Sequence, residues 1–221
     1  MIYTPDILRE KLASEGVRGI ALDIDETLSG TIYYWIAQYQ KKYGNPEGLT
    51  ATRLYQKYRY AENIPYWAEQ EDFQEFTESM SRSNDVLEAL ELVENANQMV
   101  QKISSVVPVV AYITARPGEV IRGTRKWLEK HGFPLKPIMT RPDGLDHSQR
   151  HVWKAGVLHE MYPWVLGIVD DSAGLVDHLP DEYQGTVYLY DHTQEPETDI
   201  RAFACRNWEH AYEVIQANPP C

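Results

Sequence analysis

Two aspartates separated by one residue follow a short apolar run in the stretch "IALDIDETLSG". Side chains two positions apart point to the same side of an extended segment, so Asp23 and Asp25 would share one face. Asp170 follows a second apolar run, "VLGIV". If these acids lie close together they repel one another, and a hard cation with oxygen ligands relieves that repulsion. The pattern predicts a magnesium site beside a carboxylate that attacks phosphorus.

A calcium-binding loop is the alternative interpretation of the same stretch. An EF-hand loop that begins at Asp23 needs glycine at its sixth position and glutamate at its twelfth. Those positions hold Leu28 and Tyr34. The sequence therefore excludes an EF-hand here.

Apolar runs that alternate with helical patterns predict the elements that position these acids. Strands are expected at 18–24, 106–113, 137–139, 165–169 and 186–190. Helices are expected at 117–131, 149–161, 171–179 and 207–217. Strands that are apolar on both faces and alternate with helices indicate a Rossmann-like α/β fold, a parallel sheet flanked by helices.

The stretch 31–101 contains no convincing strand and reads as helical segments. It is much longer than a simple crossover between parallel strands requires. We therefore expect a mostly helical domain inserted after the first strand, over 31–101. The core domain would consist of 1–30 and 102–221.

Ligands of open parallel sheets bind beyond the carboxyl ends of the strands. The second predicted strand ends in Thr114, Ala115 and Arg116, and Arg141 follows the third. These residues are therefore expected at the same edge as the aspartates. The alternatives are a helix cap for Thr114 and surface ion pairs for the two arginines.

Four motifs, in this order, resemble those of the haloacid dehalogenase (HAD) superfamily of phosphatases. They are "DIDET", the threonine of "YITARP", the lysine of "HVWKAGVL" and the paired aspartates of "VDDS". The resemblance spans 17–30 and 102–191. The helical insert stands where this superfamily has its substrate-selecting cap.

The resemblance implies a role for each matching residue. Asp23 would attack phosphorus and form a phosphoaspartyl intermediate. Asp25 would protonate the leaving oxygen and then activate water. Lys154 would neutralise charge on the nucleophile and the transferring phosphoryl group. The second carboxylate argues against a true dehalogenase, which lacks it in this superfamily.

The resemblance also implies Mg²⁺ as cofactor and a set of phosphate contacts. The implied metal ligands are Asp23, the carbonyl of Asp25 and Asp170, and Asp171 would bind the metal or one of its waters. The implied phosphate-binding groups are Thr114, Lys154, the amides near Ile24 and Ala115, and the side chains of Arg116 and Arg141.

Residues 111–179 also look like the 3′-phosphatase domain of polynucleotide kinases, which would imply a nucleic-acid end as substrate. The chain has no Walker-type kinase loop. Its 21 basic and 33 acidic residues give a net charge of −12, which disfavours extended nucleic acid and anionic membranes. A large cap also favours a small substrate.

The sequence therefore predicts a Mg²⁺-dependent phosphomonoesterase acting on a small phosphorylated metabolite, with nucleotides among the candidates. A 3′-phosphatase on nucleic-acid ends, a phosphotransferase or mutase, and a non-catalytic module that binds a phosphorylated ligand are the alternatives. Cap aromatics such as Tyr33 pack in a core or contact the substrate.

The two cysteines, Cys205 and Cys221, match neither a disulfide framework nor a zinc site. The N-terminal stretch "MIYTPDILREKLASEG" mixes acids with bases and contains no long apolar segment. We expect a cytoplasmic protein without a membrane partner. The sequence leaves its oligomeric state open.

Overall fold

The computed structural model describes residues 3–220, so Cys221 lies outside the described part. Six strands occur in that part: β1 Gly19–Leu22, β2 Val109–Pro117, β3 Ile138–Arg141, β4 Val165–Asp170, β5 Thr186–Tyr190 and β6 Ala202–Cys205. They form one sheet in the order β3-β2-β1-β4-β5-β6, and every pair of neighbours is parallel. The predicted Rossmann-like parallel sheet is confirmed.

The helices of residues 3–220 flank this sheet and fill the insert. They are α1 Pro5–Glu15, α2 Thr31–Tyr43, α3 Ala51–Tyr58, α4 Pro65–Ala68, α5 Phe73–Ser81, α6 Asn84–Glu88, α7 Ala96–Ser104, α8 Ile121–Lys130, α9 Arg150–Met161, α10 Ala173–Val176 and α11 Trp208–Ala217. None of the helices in the described residues combines the length and the apolar character that crossing a bilayer requires.

The two faces of the sheet have separate apolar cores. Helices α7, α8 and α11 cover one face, where Trp127 and Trp208 are fully buried. Helices α1, α9 and α10 cover the other face, where Leu158 and Met161 are fully buried. Because both faces are covered, the central strands have no polar side, which explains why β1 and β4 are buried at every position.

Helices α2 to α5 build a third apolar core of their own. Its members include Ile36, Tyr39, Leu54 and Trp67. This core is separate from the two that flank the sheet, as expected for a cap.

The last helical segment that the sequence suggests for the insert, "NDVLEALELVENANQMVQKIS" (84–104), is not one continuous helix. It forms α6 and α7, because Leu92 pairs with Ser29 in an isolated antiparallel bridge and Asn95 adopts a left-handed conformation before α7. Side chains of α7 pack in the core of the sheet rather than in the cap. The domain division at residue 101 stays a prediction, and this packing favours a shorter cap.

Three other predicted elements differ in detail. The strand expected over 106–113 continues to Pro117, so α8 begins at Ile121 instead of 117. The helix expected over 171–179 is the short α10. The sequence does not predict β6, because its four residues "AFAC" are few and the first two are only half-buried. It also assigned no helix to α1, although Thr4 caps that helix and Pro5 begins it.

Gly167 in β4 lets the backbone of β5 approach closely. A Cβ at this position would lie 2.2 Å from the Thr186 carbonyl oxygen. We expect Gly167→Ala to lower the free energy of unfolding by about 1–3 kcal/mol through overpacking. The matched control is Gly156→Ala in α9, where a Cβ meets no atom within 4 Å; this change should stabilise by about 0.5–1 kcal/mol.

Urea denaturation of both variants checks this prediction. If both variants changed the free energy of unfolding equally and with the same sign, the prediction would be contradicted. The close approach of β4 and β5 would then not determine the effect of Gly167→Ala.

Candidate active site

Strand pairing brings two buried aspartates together. The Asp23 amide donates to the Val169 carbonyl at 2.9 Å, which places Asp23 directly beside the end of β4 and therefore beside Asp170. Carboxylate oxygens of Asp23, Asp170 and Asp171 all lie within 4.8 Å of one another. The acids that are distant in sequence therefore converge at one sheet edge, as the strand-end rule predicts.

Lys154 projects from α9 between two of these acids. Its Nζ donates to Asp23 Oδ1 and to Asp170 Oδ2, at 2.7 Å in each case. Only 5% of the residue is exposed. Burial alone would lower the pKa of Lys154, but the charges of Asp170 and Asp23 and their hydrogen bonds raise it above its ordinary value. Lys154 therefore stays charged in the interior.

Burial also shifts the pKa values of the acids in this cluster. Burial raises the pKa of Asp23 well above its ordinary value, in spite of Lys154. It raises the pKa of Asp171 to about 8, with a further contribution from the charge of Asp170. Three clustered carboxylates face one ammonium, and an all-oxygen set of this kind fits a divalent cation such as Mg²⁺. The metal itself stays a prediction.

Asp25 faces a different partner. Arg116 donates from Nε to both carboxylate oxygens, at 3.1 and 3.0 Å, and from Nη2 to Oδ1 at 2.8 Å. The Thr31 hydroxyl donates to Oδ1 at 2.6 Å. Burial alone would raise the pKa of Asp25, but Arg116 and Thr31 lower it below its ordinary value. Asp25 is therefore ionised at neutral pH.

Arg116 is itself almost completely buried. Its guanidinium also donates to Ser29 at 3.0 Å and to Thr124 at 3.2 Å, and only 4% of the residue is exposed. Arg116 is therefore not a surface residue, although its ion-pair partner Asp25 keeps 31% of its side chain exposed. A contact between Arg116 and phosphate stays a prediction.

The other predicted phosphate-binding residues lie at the same edge. Thr114 is fully buried in the carboxyl-terminal half of β2. Arg141 at the end of β3 donates from Nε to the Ala115 carbonyl at 3.2 Å. Ile24 is buried in the turn after β1. Their contacts with phosphate remain predictions, as does the carbonyl of Asp25 as a metal ligand.

Four further side chains stabilise this site, and the sequence assigned a role to none of them. Thr27 Oγ1 accepts from the Asp171 amide at 3.1 Å, and Ser29 and Thr31 hold the Asp25–Arg116 pair. His192 Nε2 lies 2.9 Å from the Asp171 carbonyl. Only Thr27 had a signal in the sequence, as the threonine of "DIDET"; the other three have none.

A cavity of about 180 Å³ adjoins the acidic cluster, and Asp171 belongs to both. Helices α2 and α3 contribute Tyr33 and Tyr55 to its wall, and Glu26 and Tyr190 are among its other residues. Burial raises the pKa of Glu26 to about 8. The cavity therefore lies between the helical insert and the sheet, next to the acidic cluster.

No protein-family model matches this sequence, and no curated protein matches it either. Solved structures do resemble its fold. A HAD-superfamily hydrolase from Geobacter sulfurreducens aligns over 91% of this chain and 96% of its own, with a TM-score of 0.51 and 14% identity. A candidate HAD hydrolase from Bacillus subtilis was solved bound to magnesium. It aligns over 90% of this chain and 99% of its own, with a TM-score of 0.53 and 14% identity.

A candidate beta-phosphoglucomutase from Thermotoga maritima aligns over 91% of this chain and 100% of its own, with a TM-score of 0.54 and 16% identity. At such low identities the similarity concerns the fold. The chain has a HAD-like fold with a helical insert, which confirms the fold that the motifs imply.

Lys154 gives the first prediction for the site. Lys154→Met removes the ammonium that bridges two buried carboxylates, and we expect it to cost about 3–5 kcal/mol of unfolding free energy in the presence of EDTA. The matched control is Lys130→Met at an exposed helical position, which should cost less than about 0.5 kcal/mol. Equal costs in urea denaturation would contradict the bridging role.

The raised pKa values predict a pH dependence of the metal-free protein. Folded Glu26 and Asp171 keep their protons up to about pH 8, whereas the unfolded chain has lost them well below pH 6.5. The folded state therefore binds more protons, and stability should fall as pH rises from 6.5 to 8, by up to about 1.4 kcal/mol per pH unit for each group.

Urea denaturation in EDTA across this range measures the effect. Asp171→Asn should reduce the slope, because one of the two groups no longer titrates. A stability that rises with pH in this window would refute the prediction.

Proposed function

We propose that this protein is a Mg²⁺-dependent phosphomonoesterase that acts on a small phosphorylated metabolite. The observation that supports it most is the placement of two carboxylates in opposite electrostatic environments, two residues apart. Asp23 lies against Lys154 and the other acids of the cluster, and Asp25 lies against Arg116. Such a separation suits a nucleophile and an acid–base group.

In the first step, a carboxylate oxygen of Asp23 attacks phosphorus and the bond between phosphorus and the ester oxygen breaks. The leaving oxygen takes a proton from Asp25, and a phosphoaspartyl group remains. Arg116 keeps Asp25 ionised in the free protein, and the negative charge of an incoming phosphate favours the protonated form that this step needs.

In the second step, Asp25 accepts a proton from water as the water oxygen attacks phosphorus. The bond between phosphorus and the Asp23 oxygen breaks, which restores the carboxylate and releases inorganic phosphate. The bidentate hold of Arg116 fixes the direction of the Asp25 carboxylate for both proton transfers.

The residues around the nucleophile supply charge compensation. Asp23, Asp170 and Asp171 would hold Mg²⁺, which when bound offsets the negative charge that carboxylates and phosphate bring together. Lys154 neutralises Asp23 by a contact within the protein. Thr114 would donate its hydroxyl to a phosphate oxygen. The magnesium bound to the fold neighbour from Bacillus subtilis supports the choice of metal.

The separate core of the cap and the charge of the protein both favour a small substrate over an extended one. Helices α2 to α5 have their own core, so they can cover the site as a unit. The net charge of −12 opposes long polyanions. A cytoplasmic location is part of the proposal; it rests on the scarcity of cysteines.

The test is hydrolysis of p-nitrophenyl phosphate. We expect phosphate release that depends on Mg²⁺ and is stopped by EDTA. Asp23→Asn should abolish it, and Asp25→Asn should lower kcat by at least about a hundredfold. The exposed Asp181→Asn serves as the matched control and should retain full activity.

Two results would count against the proposal. Undiminished turnover by Asp23→Asn would exclude this carboxylate as the nucleophile. Transfer of phosphate to an added alcohol that outruns release to water would instead identify a phosphotransferase.

A further inference from the structure

The cavity that adjoins the acidic cluster constrains the part of the substrate that departs. Its wall is formed jointly by cap and core, and Asp171 connects it to the acidic cluster. A phosphoryl group placed at Asp23 would therefore direct its organic substituent toward this space. The inference below rests on the proposed phosphatase function.

The cavity is small. Its volume of about 180 Å³ is below the range of roughly 300–1,000 Å³ that pockets for drug-sized ligands have. A substituent of a few heavy atoms fits such a space, whereas a nucleoside requires more room. The volume therefore favours a short alcohol over the nucleotides that the sequence left open.

The wall is aromatic and acidic. Tyr33 and Tyr55 contribute rings whose centroids lie 5.5 Å apart, and Tyr190 contributes a third. The ionisable groups on the wall other than tyrosine are Glu26, Asp171 and Asp191, and within residues 3–220 the wall includes no lysine or arginine. Aromatic faces together with carboxyl oxygens are the surroundings that an organic ammonium prefers.

One neighbouring contact places a cation against one of these rings, Tyr55. The guanidinium carbon of Arg59 lies 4.7 Å from the centroid of the Tyr55 ring, although Arg59 is not part of the cavity wall. Glu26 adds a hydrogen-bond acceptor whether or not it carries a proton. Its Oε1 is held in place by the Ile32 amide.

We propose that the departing group is a short alcohol that carries an ammonium, so that the substrate is the phosphate ester of a small amino alcohol. The ammonium would lie among Tyr33, Tyr55 and Asp191, and the ester oxygen would lie toward Asp25. A carboxylate in the same place would meet the carboxylate of Asp191 and, within residues 3–220, no lysine or arginine of the wall to pair with, so esters of hydroxy acids should be poor substrates.

Three esters of matched size test this proposal with the Mg²⁺-loaded protein. Phosphoethanolamine carries an ammonium, 2-hydroxyethyl phosphate carries a neutral hydroxyl in its place, and phosphoglycolate carries a carboxylate. We expect kcat/KM for phosphoethanolamine to exceed that for 2-hydroxyethyl phosphate about tenfold, and that for phosphoglycolate about a hundredfold.

Variants of the wall show whether the cavity causes this preference. Asp191→Asn and Tyr55→Leu should each reduce the ratio between phosphoethanolamine and 2-hydroxyethyl phosphate to about threefold. Tyr60→Leu is the matched control, because Tyr60 belongs to the cap, is 47% exposed and does not line the cavity. It should leave the ratio unchanged.

The outcomes separate this inference from the proposed function. Hydrolysis of p-nitrophenyl phosphate with equal kcat/KM for all three esters, or with a preference for phosphoglycolate, would overturn the inference alone. If Asp191→Asn and Tyr55→Leu leave the preference for phosphoethanolamine unchanged, the cavity does not cause that preference. Absence of Mg²⁺-dependent hydrolysis of every ester, p-nitrophenyl phosphate included, would overturn both.

Discussion

The ion pairs of Lys154 with Asp23 and Asp170 are the contact on which the site depends. Two buried carboxylates at adjacent strand ends would repel each other strongly, because the interior offers little solvation. One ammonium, 2.7 Å from each, makes their proximity tolerable. It also ties α9 to the carboxyl ends of β1 and β4. The fold can therefore carry an acidic cluster at its centre, and the charge that remains uncompensated suits a divalent cation.

The same edge of the sheet gives its acids different properties through their surroundings. Asp23 is buried among other acids, and its pKa is raised. Asp25 has Arg116 across both oxygens, and its pKa is lowered. The proposed mechanism uses this difference: one carboxylate attacks, and the other moves protons in a fixed orientation. Hydroxyl groups of the short turn after β1 maintain the arrangement, and none of them is charged.

In the proposed enzyme, the sheet holds the groups that act on phosphate, and the cap contributes to the cavity for the rest of the substrate. Strand ends hold the groups that would act on phosphate, and these groups belong to the sheet. Tyr33 and Tyr55 come from helices α2 and α3 and line the adjoining cavity together with Tyr190 and Asp191. Movement of the cap relative to the sheet would change the wall of the cavity without changing the acidic cluster. In the proposed enzyme, chemistry and selectivity therefore lie on different elements of one chain.

The sequence by itself determined the parallel sheet and the aspartates at its edge, because apolar runs and strand-end motifs are local signals. It also pointed to Lys154, through its motif. Tertiary structure alone decided that Arg116 faces Asp25, because its partners Asp25 and Ser29 lie 91 and 87 positions away along the chain. It likewise decided the break between α6 and α7, because the bridge from Ser29 to Leu92 outweighs local helical preference. Contacts between distant segments leave no periodic pattern in a sequence, and only the folded chain shows them.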